Sequence, residues 1–544
     1  MKGTRVEDTA NKKSFVRGAA ILAAAVVISK VVGAVYKLPL YNMLGSSGTT
    51  TFTVIYTIYS LLLTIATAGI PIALSRLVSA AIATDRRAQA KRYYKVAMPA
   101  FILIGIVCMV VMLLFAKQMA AFMGVKEAEP GIRVLAPAVF FSCVVAVYRG
   151  YTQGFEDMTP TAVSQVIEVI FKMIFGLGVV YIFVRRGFDE ATTTAGAIVG
   201  AVVGMGLSVP AMMYYKKRSD NALRLMGEPT DQPAAPADTL RELMKVSIPI
   251  TASILILNVV LLINTKVIIA RLQTGSGFSY DEAKDLEGVR SMAMTLFNLP
   301  SAFIVPITTS VVPAISAALA ERRPKGARRI MESALKLTNL LAMPAGIGIA
   351  ALANPIFNGL YWGNNQIGVK LMFILGFAAY FICLQLMTTA ILQAAGHERL
   401  SMLTLPVGCI VQVVVVYILT GIRSIGIIGA SIGTTTCYVL ISALNIWFMK
   451  KRIPVAPRML RTFIKPLFCS IVMGVAAWAC YGILGRLLPN LSASRVGTLA
   501  LLVIAVLVGV AVYAVLVVFI GAISRNDLKF FPKGDKIARL LRIQ

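Results

Sequence analysis

The stretch Thr498-Leu-Ala-Leu-Leu-Val-Ile-Ala-Val-Leu-Val-Gly-Val-Ala-Val-Tyr-Ala-Val-Leu-Val-Val-Phe519 carries no charged side chain. As a helix it would be about 33 Å long at 1.5 Å per residue, enough to cross a hydrocarbon core of about 30 Å. It lacks the period-two alternation of a barrel strand. A helix also satisfies its own backbone in lipid. About fourteen such runs occur, near 17–38, 52–79, 96–116, 132–154, 160–184, 192–215, 246–270, 290–316, 335–357, 369–394, 400–420, 425–449, 464–484 and 497–523. The expected fold is therefore an all-α polytopic membrane protein with about fourteen transmembrane helices. The first run is too long for a signal-peptide core and contains Lys30, so it reads as a retained helix.

Composition agrees. Hydrophobic residues make up 58% of the chain and charged residues 14%, against roughly 25% charged in soluble domains. The net charge is +29, from 53 Lys+Arg against 24 Asp+Glu. In a soluble protein that would point to nucleic acid. Here it reads as topology signal and contact with anionic headgroups, and no nucleic-acid partner is expected. The N-terminus and every second connection carry about three times as many Lys and Arg as the opposite connections, which predicts both termini in the cytoplasm. The connection after the seventh span holds Asp281, Glu282, Asp285 and Glu287, spaced like a solvated helix surface on the external side.

Catalytic material is sparse. The seven cysteines all lie in apolar runs, none forms C-x-x-C, and the only histidine, His397, falls in a short connection. There is no Walker A loop and no H-E-x-x-H, so neither a metal, a cofactor nor an enzymatic activity is expected. Any work would come from the membrane potential, an ion gradient or the substrate gradient.

An internal repeat organises the chain. Pro71-Ile-Ala-Leu-Ser-Arg, Asp85-Arg-Arg and Ala97-Met-Pro recur as Pro313-Ala-Ile-Ser, Glu321-Arg-Arg and Ala342-Met-Pro. Gln153-Gly154 with Glu156 is echoed by Gln393 and Glu398. Six spans per copy is an even number, so both copies insert the same way, giving two six-helix lobes related by a parallel repeat. The predicted organisation is an N-terminal lobe at 1–215, a Pro-rich cytoplasmic linker at 216–245, a C-terminal lobe at 246–450, two further helices within 451–523 and a basic amphipathic tail at 524–544.

Charges at bilayer depth are costly, about 2.5–3.5 kcal/mol each or more, so they are functional or paired. Lys30 stands about 20 Å up the first span from Arg17. It either lines a polar cavity or joins a structural pair. Lys37 shares its face at i+7, near the outer end, where snorkelling is the alternative. Arg76 and Lys266 lie near span ends with the same ambiguity, and Arg290 is placed at the outer mouth of the eighth span. Glu168 and Lys172, one turn apart, are either a self-neutralising i,i+4 pair or a coupling-ion site. Asn258 and Asn264 read as helix–helix hydrogen-bonding groups. Pro71, Pro300, Pro306 and Pro313 interrupt the second and eighth spans, predicting kinks that are either static or part of gating.

Taken in order, Ser29-Lys30-Val-Val-Gly33, Gly69-Ile-Pro71 with Ser75-Arg76, Arg149-Gly-Tyr-Thr-Gln153-Gly154, Pro160-Thr-Ala-Val-Ser164-Gln-Val-Ile-Glu168, Leu299-Pro300 and Val312-Pro-Ala-Ile-Ser316 carry a resemblance. Over nearly its whole length the chain resembles the polysaccharide-export and lipid II flippase branch, including stage V sporulation protein B and MurJ-like proteins, of the multidrug/oligosaccharidyl-lipid/polysaccharide (MOP) exporter superfamily. The resemblance implies a MATE-like V of two lobes and a cationic cavity for an undecaprenyl-pyrophosphate-linked glycolipid. It also implies a tail groove formed by the last two helices. Carried onto this chain, it makes Lys30 the primary pyrophosphate contact, with Arg76, Arg290, Lys37 and Lys266 in support. The family's arginine is here Lys30, its second helix-1 cation falls on Tyr36 beside Lys37, and its helix-8 cation falls on Thr295, nearest to Arg290. The implied setting is a monomer in a bacterial plasma membrane, among membrane lipids and the cell-wall synthesis machinery. The competing readings are a MATE-like cation or drug antiporter, a flippase for another lipid-linked repeat unit, a membrane glycosyltransferase and a non-transporting scaffold.

Overall fold

The computed structural model describes residues 2–225, 231–361, 365–453, 455–492 and 494–522, and the expected amphipathic tail at 524–544 lies outside them. Among the described residues the chain is helical throughout, with no strand. Thirteen helical segments are long and apolar enough to cross a membrane. The first of these, Ala24–Ala83, has 60 residues, about 90 Å or twice what one tilted crossing needs. It belongs to helix α1 (Lys2–Thr67) and its continuation, and within α1 Gly45 is non-helical at φ 71°, ψ −176°. Only glycine takes that conformation without strain, so one residue joins two crossings and the expected fourteen are recovered.

The second crossing breaks again at Ala68-Gly69 before α2 (Ile70–Ala83), with Pro71 in its first turn. Proline costs nothing there, because its missing N–H has no intrahelical partner. Helix α8 (Pro236–Thr274) packs on the break. The Gly69 amide donates to Thr251 Oγ1 at 3.0 Å, and a Cβ at Gly69 would sit 2.2 Å from the Ser247 carbonyl oxygen. The eighth crossing repeats the device: α9 (Tyr280–Phe297) stops at Asn298, and α10 (Leu299–Ala320) restarts with Pro300 in its first turn. The sequence echo aligns Pro71 with Pro313, but at the helix breaks the counterpart of Pro71 is Pro300. Pro306 and Pro313 lie inside α10.

The repeat is explicit in helix lengths. After a left-handed Asp85, α3 (Arg87–Leu114) runs 28 residues and, past Phe115, α4 (Ala116–Met123) runs 8. After a left-handed Arg322, α11 (Pro324–Ala351) runs 28 and, past Leu352, α12 (Ala353–Leu360) runs 8. The first copy continues through α5 (Glu129–Gln153), α6 (Thr159–Arg186) and α7 (Glu190–Leu225). The second continues through α13 (Gln366–Ala394), α14 (Glu398–Thr420) and α15 (Ile428–Arg452), followed by α16 (Met459–Leu487), the short α17 (Pro489–Ser492) and α18 (Arg495–Phe519).

The chain forms two compact units, residues 1–269 and 270–544. In the first, α5 is central, buried against α1, α2, α3 and α7. In the second, α13 is central against α9, α10, α11, α12 and α15. The stretch after α7 is clamped to the start of α3. Asp231 accepts from the Ala88 and Gln89 amides at 2.8 and 2.9 Å, Gln89 accepts from the Ala234 amide at 2.7 Å, and Tyr93 donates to Glu242 at 2.6 Å. Partial burial raises the Asp231 carboxyl, but the two amides, with Arg86 nearby, outweigh it and hold the group below its ordinary range. The second unit does the same after α15, where Glu332 on α11 accepts from the Arg458 amide at 2.9 Å.

Candidate functional site

In the first unit the polar side chains at bilayer depth gather where α5, α6 and α1 meet. Two glycines of α7 set the spacing. A Cβ at Gly200 would lie 2.4 Å from the Lys172 carbonyl oxygen, and one at Gly204 2.4 Å from that of Glu168. Backbone-to-backbone packing of this kind holds α6 rigidly at the level of its two charges.

Those charges do not pair with each other. Arg149 on α5 donates from Nε to Ser164 Oγ at 2.9 Å and from Nη2 to Glu168 Oε2 at 3.4 Å. The Lys172 ammonium lies 4.3 Å from the centroid of Tyr56 and 5.7 Å from that of Tyr36. The expected i,i+4 neutralisation is thus replaced by an ion pair with another helix and a cation–π cage. The long planar fork of arginine reaches the carboxylate, and the ring faces of α1 attract the ammonium electrostatically. The Tyr56 hydroxyl is buried without a hydrogen-bond partner. Asn258 behaves as expected, donating to Thr64 Oγ1 at 3.0 Å between α8 and α1.

The five candidate phosphate cations fall into two groups. Four belong to the first unit. Lys30 and Arg76 are exposed on α1 and α2. Lys37 is half-buried two turns above Lys30, with its ammonium 6.0 Å from the Tyr41 ring centroid. Lys266 is half-buried with its ammonium 3.5 Å over Phe122 of α4. All four sit on apolar helices, and among the described residues Arg76, Lys37 and Lys266 form no ion pair with a carboxylate.

Arg290 differs. It lies on α9, only 6% exposed, and the Nε–Nη2 edge of its guanidinium donates to both carboxylate oxygens of Glu287, which is 0% exposed. Its expected place at an outer mouth is therefore corrected to a buried ion pair. Of the four acids expected on a solvated surface, Asp281, Glu282 and Asp285 are exposed, and only Glu287 is corrected, since it points into the protein one turn before Arg290. Four acids at close spacing suggested a wet surface, but α9 is long enough to bury one face. Thr295 is buried and donates to the Ser291 carbonyl at 3.2 Å.

Arg149 and the tyrosines at 36 and 56 are the participants that residue-by-residue reading passed over. The signal for Arg149 was a charge inside the apolar run before Gln153. The tyrosines gave none, because α1 must double back at Gly45 before both can face Lys172.

The second unit uses amides and hydroxyls on α13, α14 and α15. Asn445 on α15 donates to Thr388 and Thr389 at 3.1 and 3.0 Å and accepts from Thr404 at 2.8 Å. Gln412 donates to Thr434 at 3.3 Å.

Comparison with known proteins follows this geometry. Residues 15–319 match the model of a family described as polysaccharide biosynthesis protein, and residues 282–418 match the MatE model. The chain is 25% identical over 548 residues to the lipid II flippase MurJ of Bacillus subtilis (strain 168), covering 96% of this chain and 98% of that protein. It is 25% identical over 453 residues to stage V sporulation protein B of the same organism, covering 82% and 85%. A solved structure of lipid II flippase MurJ in an inward closed conformation superposes with TM-score 0.67 at 15% identity, covering 92% of this chain and 98% of that one.

Proposed function

The chain belongs to the polysaccharide biosynthesis protein family of the MOP superfamily, and from that premise we propose that it flips an undecaprenyl-pyrophosphate-linked saccharide across a bacterial plasma membrane by alternating access. The peptidoglycan precursor lipid II is the first candidate cargo, and another lipid-linked repeat unit the second. The topology is both termini cytoplasmic, with transfer from the inner to the outer leaflet.

One observation carries this reading. Lys30 and Arg76 are exposed on apolar helices, Arg76, Lys37 and Lys266 form no ion pair with a carboxylate among the described residues, and the deep carboxylate Glu168 is held by Arg149. Preorganised cations replace the water that a diphosphate loses on leaving the interface, which lowers the barrier to its passage. Lys30 is the primary ligand, with Arg76, Lys37 and Lys266 in support. Arg290 leaves the set because the buried carboxylate of Glu287 already neutralises its charge. A cation or drug antiporter would instead need an available carboxylate, and Glu168 is not one. The drive comes from the membrane potential or an ion gradient. Arg149–Glu168 is the candidate coupling element, and the breaks before Pro71 and Pro300 are the candidate hinges.

The test is depletion of the protein followed by assay of lipid-linked precursors in the inner leaflet. Lys30→Ala at normal expression should leave the precursor accumulated, and Lys30→Arg should clear it. Full export by Lys30→Ala would remove the phosphate site.

A further inference from the structure

The second unit contains a cavity of about 920 Å³ bounded by α11, α12, α13, α16 and the first residue of α15, Ile428. Its wall is apolar, with Phe373 and Phe377 on α13 facing Val475 and Trp478 on α16, and two polar residues, Asn354 and Lys370, at one end. None of its lining comes from α18, so it is separate from any groove between the last two crossings.

Its dimensions select an occupant. On α16 the lining runs from Leu467 to Trp478, about 16 Å of helix, which matches one leaflet's share of a core about 30 Å thick. A slot of that depth takes acyl chains of a single leaflet and is too short for most of an undecaprenyl tail. The polar end lies where α13 begins, beside α12. There Lys370 is exposed and, among the described residues, forms no ion pair with a carboxylate. The side-chain carbonyl of Asn354 is taken by Asn358 at 2.7 Å, which leaves its amide N–H groups as donors. A lysine and an amide above an apolar slot suit a phosphodiester, and the indole of Trp478 suits the interface at the same end.

We propose that this groove is a resident site for one anionic phospholipid, held by its phosphate at Lys370 and Asn354 and by its acyl chains between α13 and α16. On the topology proposed above, the lipid belongs to the outer leaflet. The site shares no residue with the proposed cargo contacts, because every residue that lines it belongs to the second unit and Lys30, Lys37, Arg76 and Lys266 belong to the first.

Trp478 is a built-in reporter. In the full chain carrying Trp362→Phe and Trp447→Phe it is the sole tryptophan. Reconstituted with brominated phosphatidylglycerol, its fluorescence should fall saturably at about fivefold lower mole fraction than with brominated phosphatidylcholine. Lys370→Glu, at an exposed position, should merge the two curves. Val475→Phe, which fills the slot, should abolish the saturable phase. Superimposed curves for the two lipids in the unmutated groove would overturn the proposal. So would displacement of the brominated phosphatidylglycerol by undecaprenyl phosphate at lower mole fraction, which would assign the groove to the isoprenoid carrier.

Discussion

The α5–α7 region of the first unit and the α13–α15 region of the second are one design executed in two chemistries. The left-handed turn residues Glu156 and Gly396 fix the register between them at 240 residues. At that offset Arg149 corresponds to Thr389, Ser164 to Thr404, Glu168 to Gly408 and Lys172 to Gln412. In the first unit the set is an ion pair plus a lysine among tyrosine rings. In the second it is a threonine–asparagine network, and the carboxylate's place is a glycine against which Ile441 closes, its Cγ1 only 2.3 Å from where a Cβ would stand. The repeat preserved helix order, breaks and turns but not buried charge. Charge in a bilayer is expensive and amides are cheaper, so a unit that keeps charge keeps it for a reason beyond packing.

The contrast is most exposed to refutation at a charged pair that the second unit does bury, Arg290 with Glu287. Arg290→Met would strand Glu287 in the interior and should cost about 3–5 kcal/mol in unfolding measured in detergent, whereas Glu287→Leu with Arg290→Met should recover most of it. Normal stability with abolished export in Arg290→Met would instead make Arg290 a cargo ligand. In the first unit the partners keep 18% and 29% of their side chains exposed, so Arg149→Thr should cost less, about 1–3 kcal/mol. Arg149→Thr with Glu168→Gly imports the pattern of the second unit. It should restore stability while leaving lipid-linked precursor accumulated. Export at the ordinary rate would reduce the pair to scaffolding.

Smaller still is Lys172→Gln, which matches Gln412 and removes the cation–π contacts. About 0.5–2 kcal/mol is expected, read in the same unfolding assay. The mildest probe is pH. The Asp231 carboxyl is held low, so its contribution is present above the unfolded carboxylate value of about 3.9 and is lost as pH falls through the folded value. Protection of the Ala88 and Gln89 amides, taken relative to their intrinsic exchange rate at each pH, should fall on acidification below about pH 4, and less so in Asp231→Asn, which keeps an acceptor without titrating. Equal pH dependence in both would remove the clamp.

Much of the architecture was legible from local pattern. The fourteen crossings follow from run length, and the duplicated prolines and turns from spacing. The connection at Gly45 was not: an apolar run with a short polar stretch suggests a loop, and only a left-handed glycine lets two helices meet with none. At the candidate site, Lys30, Lys37, Arg76 and Lys266 were visible because a cation in an apolar run stands out. The partners of Glu168 and Lys172 were misjudged because a one-dimensional rule pairs neighbours on a helix, whereas Arg290 does pair with a helix neighbour, Glu287. A neighbouring helix supplied Arg149 to Glu168 and the rings to Lys172, and Glu287 was read as wet when its face of α9 is dry.

The amino-acid sequence alone determined that this is a duplicated, all-helical membrane protein. That information lies in hydrophobic run length and period, which the bilayer reads directly. Which charge meets which partner was decided only by tertiary structure. An arginine, a carboxylate and a tyrosine ring from separate helices settle their contacts through distances of a few ångströms, and those distances are set by how closely helices such as α6 and α7 can approach.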